Sequence, residues 1–354
     1  MQDIALSKYQ PVPALVTTAH SVTKPRFPVI DMHVHMGHLM FTGDYAAQYD
    51  TGEFVQRMRD AGVVKIVNLD GEWGEGLTAM LEKTRDYREE ILHFAWVEHQ
   101  RIDEADFAEV TRARLVDAKA RGVRGVKMWK DVTLYCRDKL GNCIRTDDPR
   151  LDVVYDTAAE LSLPVLMHIG DPKAFFDPID EKNERFEELN AHPDWSFCDP
   201  SLPTFQELLS MQDHMIESHP NTTFIIAHFG SCAEDLDWVA SRLDRYPNLY
   251  IDMTGRIAEL GRVPYSARRF FLRYADRIVF GTDSWPLSSG EHAVAYRFLE
   301  TDDEYFNYEP NGNAPTQGRW RIYGIYLPDD VLKKVYYENA MRLLHLDSRE
   351  LPIL

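Results

Sequence analysis

The chain is poor in the features that mark several protein classes. Its four cysteines, Cys136, Cys143, Cys198 and Cys232, form no CxxC pair and no dense framework in 354 residues. A chain of this length needs no disulfide staples, so reduced thiols and a cytoplasmic location are expected. No run of about 18 apolar residues exists to span a bilayer. The N-terminal segment MQDIALSKYQPVPALVTTAH lacks the basic start and continuous apolar stretch of a signal peptide. Positive charge is also scarce. Lys and Arg total 39 against 57 Asp and Glu, a formal net charge of −18. So acidic a surface repels phosphate backbones and anionic lipid, which argues against nucleic-acid and membrane partners and for a small-molecule substrate. Internal repeats and low-complexity tracts are absent as well.

What is present reads as a globular enzyme-sized chain. Hydrophobic residues make up 44% and charged residues 27%, far from the composition of a disordered chain, and the length allows one large or two ordinary domains. From about residue 28, short apolar runs alternate with longer amphipathic stretches, the pattern of βα units on a parallel sheet. Eight strands are predicted, at Pro28–His35, Val63–Asp70, Ile91–Val97, Val123–Trp129, Pro164–Ile169, Thr222–Phe229, Leu249–Thr254 and Arg277–Asp283. Between them fall helical patterns, among them Asp106–Arg121, Leu151–Leu161, Thr204–Ser218, Glu234–Tyr246 and Tyr265–Tyr274, with a last one at Asp329–Leu344. Phe205, Leu208, Leu209 and Met215 show the three- and four-residue steps of one buried helix face.

Eight such units match a (β/α)8 TIM barrel better than a doubly wound sheet. The expected organisation is an N-terminal arm over 1–27, the barrel over 28–346 and a C-terminal tail over 347–354. Two segments exceed ordinary loop length, Thr301–Leu327 and Gly170–Pro203. The latter carries five prolines and several aromatics. It leaves the C-terminal end of the fifth strand, where barrel active sites sit, and so is the candidate lid. The alternative is an oligomer contact, and a homo-oligomer, with a dimer favoured, is the expected assembly.

Chemistry-bearing residues collect at the predicted strand ends. Asp31-Met32-His33-Val34-His35 closes the first strand, and alternation puts Asp31, His33 and His35 on one face. His168 ends the fifth strand in PVLMHIG, His228 the sixth in FIIAHFG, and Asp283 the eighth in IVFGTDS. Each follows an apolar run that offers it no local polar partner. A lone histidine in such a place is ordinarily a core residue bonded to backbone, but a barrel brings all of these ends to one mouth.

The motifs DMHVH, LMHIGDP, FIIAHFG, FGTDSWP and ENAMRLLHL, in this order over residues 28–346, resemble the amidohydrolase superfamily. More narrowly they resemble the amidohydrolase-2 group of metal-dependent barrel hydrolases, which also contains aminocarboxymuconate semialdehyde decarboxylase and related decarboxylases. The resemblance implies that His33, His35, His168 and Asp283 ligate one divalent metal, with His228 as general acid/base or carbonyl-polarising group. Imidazole and carboxylate suit Zn2+, with Mn2+ or another first-row ion as alternatives, and a catalytic site keeps a position open for water. Such an ion lowers the pKa of its water from ~15.7 toward ~7. Asp283 is a candidate proton acceptor from that water, as its counterpart is in hydrolytic relatives. Asp31 either orients a ligand from behind or is a buried structural carboxylate.

Around this set, Lys127 near the end of the fourth strand is read as a substrate anchor and favoured over Lys130, which has opposite parity. Its alternatives are a carboxylated lysine bridging two metals, as in binuclear superfamily members, or a lysine plugging the barrel beside a carboxylate. Arg256 and Arg262 follow the seventh strand. Either could hold a substrate carboxylate bidentately, or pair with Glu259 or a lid carboxylate. Trp285 is a candidate apolar wall, whereas Trp129 and Trp195 default to packing. His38, His93, His99, His192, His214, His219, His292 and His345 lack a converging context and are read as structural or solvated.

The leading functional expectation is a metal-dependent hydrolase that directs activated water at an ester, lactone or amide bond of a small carboxylated or polyhydroxylated substrate. The alternative is a non-oxidative decarboxylase of a small carboxylic acid. A non-catalytic barrel with a structural metal is the remote third reading, because a structural site normally closes its coordination and has no need of His228 beside it.

Overall fold

The computed structural model describes residues 3–39, 48–309, 317–347, 349 and 351. Eight strands follow one another in chain order: β1 Val29–Val34, β2 Val63–Asn68, β3 Ile91–Ala95, β4 Gly125–Met128, β5 Val165–Met167, β6 Phe224–Ile226, β7 Leu249–Asp252 and β8 Ile278–Val279. Each pairs in parallel with the next, so strand order equals sequence order. The seam between first and last strands is closed by backbone bonds past the end of β8. Met32 N donates to Phe280 O at 3.0 Å, Asp283 N to His33 O at 2.9 Å and His35 N to Ser284 O at 2.9 Å. The result is a nearly closed (β/α)8 TIM barrel, as the alternating pattern predicts.

Helices fill the crossovers where the apolar periodicity puts them. Phe107–Ala120, Asp152–Glu160, Phe205–Ser218, Leu236–Arg245 and Pro264–Arg273 all lie within a residue or two of the expected bounds. The start of Phe205–Ser218 is set by a capping box, in which the Thr204 hydroxyl accepts from Glu207 N and the Glu207 carboxylate accepts from Thr204 N. At the C-terminus the expected single helix is broken in register. Asp329–Lys333 passes into a π turn, Lys334–Glu338, and then into Asn339–Leu344. The Val335 carbonyl accepts instead from Phe280 N at 2.9 Å, just beyond β8, and Asn339 Nδ2 donates to Ala275 O and Ile278 O, both at 2.7 Å. The wide turn therefore docks the last helix on the last strand.

Beyond the barrel, the N-terminal arm lies largely without regular structure and is fastened by His20 N to Asp303 Oδ2 at 2.8 Å and Arg26 N to Glu300 Oε1 at 3.0 Å. Residues 310–316 of the second long segment, and most of the 347–354 tail, lie outside the described residues. Among the described residues no helix is long and apolar enough to cross a membrane.

The observed strands are shorter than the predicted ones at their C-terminal ends, which is where the polar residues stand. β6 stops at Ile226 because His228 and Phe229 both turn into left-handed backbone, φ 55° and 59°, and Asp283 does the same after β8 at φ 65°. Such conformations cost roughly 1–2 kcal/mol each in a residue with a Cβ, so side-chain and backbone bonds must hold them.

Asp31 supplies one such hold. Wholly buried, its carboxylate accepts from His33 N at 3.1 Å, from the Thr282 hydroxyl at 2.5 Å and amide at 3.2 Å, and from His292 Nε2 at 2.9 Å. It thereby pins β1 to the turn that carries Asp283 and to helix Glu291–Glu300. Asp31→Ala would leave the Thr282 hydroxyl and His292 ring without their acceptor. A loss of about 2–4 kcal/mol is expected, read as a lower melting temperature. An unchanged melting temperature would remove Asp31 from this role.

Candidate active site

Three ligand-type atoms meet at the barrel mouth. His33, His35 and Asp283 each bring one within 4.8 Å of the others, with His35 Nε2 3.1 Å and His33 Nε2 3.5 Å from Asp283 Oδ1. The opposite ring nitrogens are fixed by carboxylates that can only accept. His33 Nδ1 donates to Asp252 Oδ2 at 2.8 Å, and His35 Nδ1 to Asp70 Oδ1 at 2.5 Å. In the neutral rings both Nε2 atoms therefore carry lone pairs, and that of His33 is buried with no hydrogen-bond partner. The turn reaches this close because residue 281 is glycine. A Cβ there would stand 2.4 Å from Thr254 Oγ1 and 2.9 Å from His33 Cβ.

His168 stands outside this triad, against His228. Its Nδ1 lies 3.2 Å from His228 Nε2, and the rings meet edge to face with centroids 4.2 Å apart. His228 Nδ1 faces the Thr254 carbonyl at 3.0 Å, so it carries the proton. Nε2 of a neutral His228 is then an acceptor, His168 Nδ1 its donor, and His168 Nε2 a lone pair, buried and without a hydrogen-bond partner. The left-handed turn at His228 is braced by its own amide, which donates to Asp252 Oδ1 at 2.8 Å.

Burial and charge set the protonation of the cluster. Desolvation pushes His168 down to about 3 and, with His168 and Arg256 nearby, His228 well below its ordinary value. His33 is lowered chiefly by burial. In His35 burial also opposes charge, but Asp70 and Asp283 outweigh it and raise the ring to about 9. The Asp283 carboxyl is held well below the usual range because His33 and His35 overcome its desolvation. Burial brings Lys127 down to about 8 against the pull of Asp252 and Asp283. Anionic Asp283 beside the unpartnered lone pair of His33, and beside a His35 ring whose Nε2 proton a bound cation would displace, fits a first-row divalent ion.

The mouth opens into a cavity of about 450 Å³ that includes His35, His168, His228 and Asp283 in its lining. The basic residues around it sort differently from the parity argument. Lys127, 1% exposed, lies inside the barrel with Nζ lacking a hydrogen-bond partner and does not line the cavity. Lys130 does line it, paired with Asp171 at 2.5 Å. Of the two arginines, Arg262 is taken by Glu184 at 2.8 and 3.1 Å. Arg256 lines the cavity, donates to its neighbour Gly255 O at 3.0 Å and, among the described residues, has no carboxylate within the 4.0 Å of an ion pair. Trp285 and Trp129 contribute aromatic wall.

Segment 170–203 forms much of the remaining wall, through Asp171, Phe175, Arg185, Glu188 and Trp195. It is fastened by the buried guanidinium of Arg185, which bonds Glu259 and, at 2.8 Å, Glu188, and by Arg319 bonded to Glu187 at 2.6 and 2.7 Å. Asp70, Asp252, Asp171 and Arg185 were not singled out by sequence. Asp70 and Asp252 bore the same signal as the histidines, a polar residue closing an apolar strand.

The amidohydrolase family model matches residues 30–346. No curated protein matches the chain. Among solved structures, 2,6-dihydroxybenzoate decarboxylase from Rhizobium is similar at 17% identity with TM-score 0.57, over 90% of this chain and 99% of that one. Dihydroxybenzoic acid decarboxylase from Polaromonas sp. JS666, with bound manganese and the inhibitor 2-nitroresorcinol, gives 14% and 0.58 over 93% and 100%. An uncharacterized TIM-barrel protein from Bordetella bronchiseptica gives 16% and 0.56 over 90% and 99%. At these identities the likeness is one of fold.

A divalent ion at the triad has a direct check. His33→Ala or Asp283→Ala is expected to lower the bound metal by about one equivalent per chain relative to the unaltered protein, whereas His228→Asn keeps it. Undiminished metal in both ligand variants would overturn the assignment.

Proposed function

The chain belongs to the amidohydrolase family, whose model spans residues 30–346, and from that premise we propose that it is a metal-dependent hydrolase of a small carboxylated ester, lactone or amide. His33, His35 and Asp283, completed by His168, would hold one divalent ion, with Zn2+ as first choice and Mn2+ as second. Bound there, the ion supplies Lewis acidity, acidifying a water and polarising a substrate oxygen.

One observation carries the choice of hydrolysis. The proton of a neutral His228 is committed to the Thr254 carbonyl, which leaves Nε2, 3.2 Å from His168 Nδ1, as the accepting nitrogen of a ring that lines the cavity. Its strongly lowered pKa keeps it in that state near neutral pH. Were water to displace His168 Nδ1 from that nitrogen, His228 would take its proton as it attacks and return it from Nε2 to the departing oxygen or nitrogen. Arg256, without a carboxylate partner among the described residues, would grip the substrate carboxylate bidentately, while Trp129 and Trp285 would flank it and segment 170–203 would limit access of bulk water.

Decarboxylation is the second reading, favoured by the same Arg256 in an aromatic-walled cavity and by the decarboxylases among the fold relatives. That reaction requires a proton to be delivered to the carbon that loses CO2, and neutral His228 offers none at Nε2.

Turnover in heavy-oxygen water distinguishes the two. With a substrate found by screening carboxylated lactones, esters and aromatic acids, hydrolysis places solvent oxygen in the product and releases no CO2. Release of CO2, with solvent hydrogen at the vacated carbon, would establish the lyase instead. In either assay His228→Asn is expected to lower kcat by ~10²–10⁴ while keeping the ion. Arg256→Ala should act mainly on KM; an unchanged KM would deny Arg256 the carboxylate.

A further inference from the structure

Outside the catalytic mouth, a second set of ligand-type side chains converges where β3 and β4 leave the barrel. His99 follows β3, while Asp131 opens and Cys136 follows the short helix Asp131–Leu134 after β4. One ligand atom from each lies within 4.8 Å of the other two. His99 is buried at 1% exposure, and its Nδ1 donates to Val97 O at 3.0 Å. Its remaining nitrogen, Nε2, faces Asp131 Oδ2 at 3.1 Å and Cys136 Sγ at 3.3 Å.

This arrangement is poorly served by protons alone. Nε2 can donate one hydrogen, yet an oxygen and a sulfur both face it. The second carboxylate oxygen, Asp131 Oδ1, is buried with no hydrogen-bond partner among the described residues, and Asp131 is 8% exposed. A divalent cation among the three would take the place of the proton at His99 Nε2 and bond both the oxygen and the sulfur that face it. Tetrahedral bonds of about 2.0–2.1 Å to nitrogen or oxygen and about 2.3 Å to sulfur put neighbouring ligands roughly 3.3–3.6 Å apart, close to the spacings present. The carbonyl behind His99 is the kind of group that fixes a ligating imidazole.

We propose that His99, Asp131 and Cys136 form a second metal site, distinct from the His33, His35 and Asp283 centre, for a thiolate-accepting ion such as Zn2+. Thiolate, imidazole and carboxylate together select zinc or a neighbouring late first-row ion over magnesium or calcium. Binding releases the Cys136 thiol proton and the proton shared at His99 Nε2 to solvent, with no redox change. The site lies behind the cavity wall. Asp131 follows Lys130, which lines the cavity, and Tyr135, beside Cys136, stacks on Trp129 at 6.0 Å and meets Phe197 of segment 170–203 edge-on at 5.9 Å. An ion here would hold that wall in place without touching the substrate.

Cobalt(II) reports the ligand set directly, because only a thiolate-bound ion gives an intense sulfur-to-cobalt charge-transfer band in the near ultraviolet, and the catalytic centre has no cysteine. Metal-free full-length protein titrated with Co2+ should develop that band with an endpoint of one thiolate-bound ion per chain. The band should persist in His33→Ala and vanish in Cys136→Ser. Asp131→Asn, which keeps side-chain shape, should shift the titration to Co2+ concentrations higher by on the order of tenfold or more. No band in the unaltered protein, a band that survives in folded Cys136→Ser, or an unmoved titration in Asp131→Asn would overturn the proposal.

Discussion

Asp252 is the carboxylate on which the candidate site turns. It ends β7 fully buried, and its two oxygens serve three elements. Oδ2 takes the proton of His33 Nδ1 from β1, while Oδ1 accepts the His228 amide beyond β6 and the Thr254 amide at 3.1 Å beyond β7. A single charge thus sets the tautomer of a metal-ligand candidate, supports the left-handed turn that presents His228, and shapes the loop whose Thr254 carbonyl fixes the His228 ring. Its pKa falls despite burial because His33 and the His228 amide stabilise the anion. Remove that charge and His33 loses the group that directs its lone pair, while His228 loses the bond that offsets its strained backbone.

The surrounding interior is built on the same economy of charge. Asp31, Asp70 and Asp252 are all wholly buried, and Asp283 stands at the mouth. Carboxylates in so dry a place are tolerated only when hydrogen-bonded and balanced by positive charge. Lys127 supplies part of that balance from inside the barrel, where it feels Asp252, Asp283, Asp70 and Asp131 while its Nζ bonds none of them. A divalent ion at the triad would supply the rest. Metal and interior acids would then be interdependent: the acids orient the imidazoles, and a bound cation would make their burial tolerable.

Much of this was legible in the chain because two periodicities carry it. Alternating apolar runs gave all eight strands, but the alternation expected to put Asp31, His33 and His35 on one face meets a register shift between Asp31 and Val34, and Asp31 bonds His292 while His33 bonds Asp252. Apolar runs cannot show where a strand stops when the stop is a backbone turn at a functional residue, as at His228 and Asp283. Partners distant in sequence were equally hidden. Asp252 meets His33 across 219 residues and Arg185 meets Glu259 across 74, and no local pattern specifies which carboxylate a barrel brings to which ring. The same gap explains the lysines. Parity correctly separates Lys127 from Lys130, but the strand ends at Met128, so the inward side chain is sealed inside and the one past the end reaches the cavity.

Catalytic groups and specificity groups therefore come from different parts of the structure. The former stand on strand ends tied to one another by buried carboxylates, and little in that set distinguishes attack by water from loss of CO2. The latter belong to the loops after β4, β5 and β7, where Lys130 is neutralised by Asp171, Arg262 by Glu184 and Arg185 by Glu259. Breaking the Arg185 pair would strand a buried charge at about 3–5 kcal/mol, so segment 170–203 acts at that point as a wall more than as a swinging flap. With those three cations occupied, Arg256 lines the cavity without a carboxylate partner among the described residues, which is what the proposed grip on a substrate anion rests on. On the proposed reading, where that guanidinium would hold a carboxylate separates the two chemistries. A carboxylate kept at Arg256 would leave a neighbouring ester or amide carbon open to attack by water, whereas one drawn toward His33, His35 and Asp283 would be the group that departs.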